Sequence, residues 1–166
     1  MEKTELIYLF DYNYWANERI LTSAQRVSTE QFIASFPLSH GSLRGMLVHT
    51  LSAETIWRQR CQEGISPTRL LQENDFPDLQ ALAAHWQVEE QAMRAYLDSL
   101  LDEDFRKPIH YQNTRGKPFV NTLWHLLVHA VNHGTQSRSE AALALTAYGC
   151  SPGDLDLLLF TREKGL

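Results

Sequence analysis

Residues 122–148 read TLWHLLVHAVNHGTQSRSEAALALTAY, and this stretch does most to decide the fold. Its apolar residues recur at intervals of three and four, the period of an α-helix; they are Leu123, Leu126, Leu127, Ala130, Ala141, Leu145 and Tyr148. Gly149 follows directly, and glycine is common just after a helix C-terminus. The sequence therefore predicts one long amphipathic helix. Gly134 in its middle indicates close helix packing or a nearby ligand, if it has a role at all.

Three more segments of the chain show the same helical period. They predict helices at about 4–24, 42–61 and 78–101, and a capping-box pattern at 28–31 adds a short helix. Residues 113–116 look like a tight turn between two extended runs, so a small hairpin or a plain loop is expected there. Four long amphipathic helices predict an all-α fold, a four-helix bundle with long crossover connections, in a single domain spanning 1–166.

Composition and charge narrow the possible partners. The formal net charge is −5 and the 15 Lys and Arg residues are scattered, whereas nucleic-acid-binding proteins usually present a basic face. No run of 18 or more apolar residues occurs, and the N-terminus is acidic where a signal peptide is basic. We therefore expect a soluble cytoplasmic protein with no nucleic-acid and no membrane partner. Cys61 and Cys150 form no CxxC pair, which excludes a cysteine-rich zinc site and leaves reduced thiols or a disulfide open.

The fourth helix carries a row of three histidines. His125, His129 and His133 are four residues apart, and two histidines one turn apart can bind a single metal ion. At 100° per residue His125 turns roughly 80° away from His133, so it is the poorer candidate. His49 falls within the apolar stripe of the second helix and should point toward the core. His49, His129 and His133 together would leave one coordination position open, as in catalytic zinc sites.

The same histidines also have a purely structural interpretation. A histidine on an apolar helix face is often half-buried with one hydrogen bond. No HExxH sequence fixes a metal motif here, and the G-x-S-x-G, Walker and G-x-G-x-x-G sequences are absent. Spacing alone leaves both interpretations open. His40 and His110 lie in segments predicted as loops, where they could sit at the mouth of a pocket.

Four segments, in order along the chain, resemble the DinB/YfiT-like superfamily. They are LFDYNYWAN at 9–17, HTLSAETIW at 49–57, LVHAVNHGT at 127–135 and the tail at 149–160. The resemblance implies a four-helix bundle, a homodimer and a divalent metal held by three histidines. Two of the three ligand positions correspond to His49 and His133, and the third falls on Ser137.

Ser137 departs from the family pattern, because a serine hydroxyl is a poor zinc ligand beside imidazole. Three outcomes follow. The site shifts by one turn and uses His49, His129 and His133; or it keeps two histidines with water or Glu140; or the metal is lost and a pocket or scaffold remains.

The resemblance predicts a divalent-metal-dependent enzyme, with zinc, nickel or manganese, that acts on a small molecule. Some relatives are thiol-dependent transferases or isomerases, so the expected substrate is a low-molecular-weight thiol and the expected reaction a transfer or hydrolysis. The candidate substrate contacts are Asn132, Ser137, Arg138 and His110, and His110 or His40 could shuttle a proton. The alternative is a non-catalytic dimeric helical bundle, or a small-ligand-binding protein, that has lost the metal site.

Overall fold

The computed structural model describes residues 2–165, which form six α-helices and one β-hairpin. The four long helices are α1 (Lys3–Ala24), α3 (Leu43–Arg58), α4 (Leu79–Ser99) and α5 (Leu123–Ala147), and the two short ones are α2 (Thr29–Ile33) and α6 (Leu157–Glu163). The mostly helical architecture confirms the all-α prediction. The predicted single domain begins at Met1 and ends at Leu166, both of which lie outside the described residues.

Short polar side chains cap the starts of α2 and α4, and the cap of α2 is the one that the pattern at 28–31 predicts. The Ser28 Oγ accepts a hydrogen bond from the Gln31 N–H at 3.2 Å. The Asp78 carboxylate accepts one from the Ala81 N–H at 2.8 Å. Each bond satisfies a backbone donor that has no partner inside its own helix. Each of these two helix starts is therefore determined by a pair of residues only three positions apart in the chain.

After α3 the chain continues for one π-helical turn, Gln59–Glu63, before it leaves the bundle. Gly64 ends this turn with a left-handed backbone conformation, φ 67°, which glycine adopts without steric cost. The second long helical segment thus stops at a glycine.

The segment between α4 and α5 is a β-hairpin, which decides between the two predicted alternatives. Strand β1 (Pro108–Gln112) pairs antiparallel with β2 (Pro118–Thr122). Gly116 occupies the turn with φ 76°. Because successive side chains of a strand point to opposite faces, Tyr111 turns toward the bundle and His110 toward solvent.

The core lies between the four long helices, and α5 packs against both α1 and α3. The C-terminal helix α6 closes one side of this core. Its Phe160 is 2% exposed and contacts the rings of Tyr8, Tyr12 and Trp15 at centroid distances of 5.3, 6.0 and 5.7 Å. The tail therefore returns onto the bundle.

A buried polar network connects all four long helices. The Glu54 carboxylate on α3, 4% exposed, accepts hydrogen bonds from Asn13 Nδ2 at 3.0 Å, Asn17 Nδ2 at 2.9 Å and Trp86 Nε1 at 3.0 Å. Arg138 on α5 donates to the Oδ1 atoms of the same two asparagines at 2.5 and 2.8 Å. The two amides of α1 therefore bridge a buried carboxylate and a buried guanidinium. Burial raises the pKa of Glu54, and the N–H donors and Arg138 act in the opposite direction.

Gly134 explains how α5 approaches α1 closely enough for this network. A Cβ atom at Gly134 would lie 2.7 Å from Asn13 Oδ1 and 2.9 Å from Arg138 Nη1. Of the two roles considered for this glycine, close helix packing is the one that the structure supports.

Cys61 and Cys150 are both buried and are not joined by a disulfide. Burial raises the pKa of the Cys61 thiol to about 12, which keeps it protonated at neutral pH. Among residues 2–165, no helix has the length and apolar character needed to cross a membrane.

Candidate histidine site

Helices α3 and α5 place two histidines side by side. The Nε2 atoms of His49 and His133 are 3.1 Å apart, and their rings are inclined by 58°. When one Nε2 carries a proton and the other does not, this contact is a hydrogen bond. Two nitrogens that bind one tetrahedral zinc ion at about 2.05 Å are separated by about 3.3 Å, so the same arrangement also fits two ligands of one metal.

His40 covers one face of this pair. It lies in the loop before α3, and its ring stacks on the ring of His49 with centroids 3.7 Å apart and planes inclined by only 16°. Two nearly parallel rings at this distance cannot both direct an in-plane lone pair at a single ion. In this arrangement His40 shields His49 and is not a third ligand.

Burial and mutual proximity favour the neutral form of these histidines. Burial, followed by the charges of His40 and His133, lowers the pKa of His49 from 6.5 to about 4. The pKa of His133 is lowered by burial and then by His129 and His40. The pKa of His129 is lowered by burial and then by the charge of Arg60. Neutral imidazole is the form that coordinates metals.

His129 lies one turn before His133 but does not join the pair. This residue is more exposed than His49 and His133, and its ring contacts the ring of Trp57 edge to face at 4.9 Å. The centroids of His129 and His133 are 6.0 Å apart, whereas two imidazoles on one tetrahedral ion have centroids about 5 Å apart. Across the described residues, no group of three or more His, Cys, Asp or Glu side chains is arranged to hold a metal ion.

Glu140 fixes the loop that carries His40. Its carboxylate accepts hydrogen bonds from the Ser39 N–H at 2.8 Å and from the Ser39 hydroxyl at 3.0 Å. These bonds, and the nearby His40 and His49, lower the pKa of Glu140. The carboxylate is therefore ionised and already engaged by the loop.

A pocket of about 370 Å³ opens beside the histidine pair. Its lining includes His40, His49, Ser52 and the ion pair of Arg44 with Glu73, whose Nε and Oε2 atoms are 3.1 Å apart. Pockets of roughly 300–1,000 Å³ are the size that takes small-molecule ligands.

The comparison with protein families can now be set against this geometry. The family model of the DinB family matches residues 1–165. The chain belongs to the DinB family. The Protein DinB of Bacillus subtilis (strain 168) is similar to this DinB-family chain: the two are 25% identical over 173 aligned positions, which cover 93% of this chain and 94% of the relative. The family resemblance inferred from the four sequence segments is confirmed.

The predicted substrate contacts of this DinB-family chain lie in different places. Ser137, the position where the resemblance implies a third ligand, is 3% exposed on α5. Asn132 is exposed beside His133 in sequence. Arg138 belongs to the buried network with the α1 asparagines, and His110 faces solvent on β1. The structure therefore brings neither Arg138 nor His110 into the histidine cluster.

Sequence reasoning missed the aromatic side of the site. The guanidinium of Arg60 lies over the rings of Trp57 at 4.6 Å and Tyr111 at 5.1 Å, and Trp57 in turn contacts His129. An arginine near a helix end is ordinary in a sequence. Nothing near Arg60 in the chain indicates that a hairpin about fifty residues later covers it, so no local signal could have identified it.

Proposed function

We propose that this DinB-family chain is a divalent-metal-dependent enzyme acting on a small molecule, with His49 and His133 as two of the metal ligands. The proposal is carried by the 3.1 Å separation of their Nε2 atoms. Two half-buried imidazoles with lowered pKa values are neutral at pH 7. A metal ion therefore does not have to compete with the proton of an imidazolium at either ring. Imidazole pairs suit zinc or nickel better than manganese, which favours oxygen ligands.

The donor set fits the metal only in part, because the third position is not filled by a side chain in the present arrangement. Completion by His129 gives the set His49, His129 and His133 expected from the sequence. It requires the imidazole of His129 to leave Trp57, to approach His133 by about 1 Å and to turn toward His49. Water or substrate would occupy any remaining position.

A bound divalent ion would lower the pKa of a thiol or water that coordinates it, giving a nucleophile near pH 7. The surrounding residues have their own tasks in this proposal. His40 shields one face of His49 from water, and the Ser39–Glu140 hydrogen bonds keep His40 in place. The adjacent pocket holds the small molecule. A low-molecular-weight thiol as substrate, a transfer or hydrolysis as reaction, a homodimer and a cytoplasmic location complete the proposal.

Elemental analysis of untagged protein, never exposed to a nickel column, tests the metal site. We expect near-stoichiometric metal in the wild type and its loss in His49→Ala and in His133→Ala. His125→Ala is the matched control, because His125 is exposed on the same helix and its ring contacts Trp124. Retention of metal in His129→Ala would restrict the side-chain ligands to the pair. A wild type that takes up no zinc, nickel or manganese contradicts the proposal.

A second candidate function is a non-catalytic bundle that binds a small ligand. The observation that favours it is the lack, among residues 2–165, of a three-donor metal group, together with the serine at position 137. The histidine pair would then remain hydrogen-bonded. Bound metal stabilises the native state by mass action, so a chelator would lower the Tm of the metalloenzyme and leave the Tm of the non-catalytic bundle unchanged.

A further inference from the structure

Arg60 is a buried cation without an anionic partner in the described part of the chain. Its side chain is 6% exposed, and its Nε is enclosed with no hydrogen-bond partner. Arg58, two residues earlier, shows the contrast: its Nε and Nη2 atoms donate to the two carboxylate oxygens of Glu89 at 2.6 and 3.0 Å. Arg19 also has an enclosed Nε, but it pairs with Glu163 at 3.2 Å.

Aromatic rings contact Arg60 where a carboxylate would be expected. The guanidinium carbon lies 4.6 Å from the ring centroid of Trp57 and 5.1 Å from that of Tyr111. Such cation–π contacts compensate a buried charge only partly. Burial accordingly lowers the pKa of Arg60, although an arginine remains charged at any physiological pH.

The backbone and the neighbours of Arg60 connect it to the histidine site. Arg60 belongs to the π-helical turn Gln59–Glu63, and single π-helical turns are frequent at functional sites. One ring, that of Trp57, contacts both the guanidinium of Arg60 and the imidazole of His129. The ring of Trp57 thus lies between Arg60 and His129.

We propose that Arg60 is an anion-binding residue on the Trp57 and His129 side of the histidine site, outside the lining of the 370 Å³ pocket, and that it holds a carboxylate or phosphate group. The inference rests on the proposed function for the location of the site, but it does not depend on a metal. The fixed fork of a guanidinium matches the oxygens of both anions, and charge-assisted hydrogen bonds to it are among the stronger ones. Nε is the enclosed nitrogen, so the two Nη atoms are the donors available to the anion.

Thermal unfolding of the full-length chain with added anions tests this assignment, both as purified and after chelation. The probes are sodium phosphate and sodium acetate, each compared with sodium chloride at equal ionic strength. We expect a saturable rise in Tm for the wild type with at least one probe. In Arg60→Gln the apparent dissociation constant should increase by about tenfold or more, because a hydrogen bond to a charged group is lost.

Arg94→Gln is the matched control. Arg94 also lies over an aromatic ring, that of Tyr14 at 4.6 Å, but Asp11 and Glu90 already neutralise it at 2.5 and 2.8 Å. We expect this variant to keep the anion response of the wild type.

Two further readouts separate ligand binding from a structural role. Without added anion, Arg60→Gln should unfold at a Tm no lower than that of the wild type, because the substitution removes an unpaired buried charge. In the wild type, the Nε–H resonance of Arg60 should shift on titration with the effective probe, a test that requires no variant. An equal anion response in wild type and Arg60→Gln, or no saturable response to either probe, would overturn the assignment. Because chelated samples contain no metal, failure of the metal proposal would leave this result unaffected.

Discussion

Replacing Gly134 by alanine is predicted to destabilise the protein, although alanine is the better helix former. The new Cβ would lie 2.7 Å from Asn13 Oδ1 and 2.9 Å from Arg138 Nη1, so these buried groups must move. Alanine gains about 1 kcal/mol over glycine in a helix interior. Crowding a packed core costs about 1–3 kcal/mol, and weakening one charge-assisted hydrogen bond costs roughly 1.5–3 kcal/mol. The costs exceed the gain, and we expect a net loss of about 1.5–5 kcal/mol in the free energy of unfolding.

Urea unfolding followed by far-UV circular dichroism measures this change, and a fall in Tm of roughly 3–20 °C should accompany it. Gln136→Ala, at an exposed position of the same helix, is the control and should stay within about 0.5 kcal/mol of the wild type. In an Asn13→Ala background the penalty of Gly134→Ala should shrink, because one of the two crowded atoms is gone. If Gly134→Ala stabilises the protein by about 1 kcal/mol, helix propensity alone decides and the reasoning is refuted.

Three other outcomes are expected. The folded-state pKa of His49 lies at about 4, below its usual 6.5, so the metal-free protein should lose stability as pH falls from 6.5 to 4. Measurements of Tm across this pH range should show a smaller loss in His49→Ala than in the wild type. Glu89→Gln should lower the free energy of unfolding in urea by about 2–3 kcal/mol, since it leaves Arg58 without its buried partner. Glu63→Gln removes a more exposed partner of the same arginine and should lower it by less than about 1 kcal/mol. Ser137→His should lower the metal dissociation constant in competition with a chromophoric chelator, because it adds an imidazole one turn after His133. An unchanged constant would place position 137 outside the site.

The features that were predicted from sequence depend on residues close together in the chain. The Ser28 cap and the turn at Gly116 each involve a few consecutive residues, and the apolar period describes each helix separately. The same period placed His49 on the inner face of its helix, and the structure has it half-buried against His133. Local rules and tertiary structure agree at these positions.

The features that were not predicted depend on how distant segments meet. Arg138 was expected to contact substrate, but it lies in the core because Asn13, 125 positions earlier, accepts its hydrogen bond. The stacking of His40 on His49 depends on a loop whose path is determined by Glu140. Helical periodicity describes the faces of single helices, and it does not give the height of one helix relative to another.

The bridge formed by Glu54, the two asparagines and Arg138 has a consequence for that relative height. His49 precedes Glu54 by five residues on α3, and His133 precedes Arg138 by five residues on α5. Hydrogen bonds to amides have a fixed length and direction, so they define the axial offset of the two helices more sharply than apolar packing does. A slip of one residue would move an imidazole by about 1.5 Å, half of the separation in the pair. Anyone who transplants the histidine pair into another helical bundle would therefore have to transplant the distant carboxylate, amides and guanidinium with it.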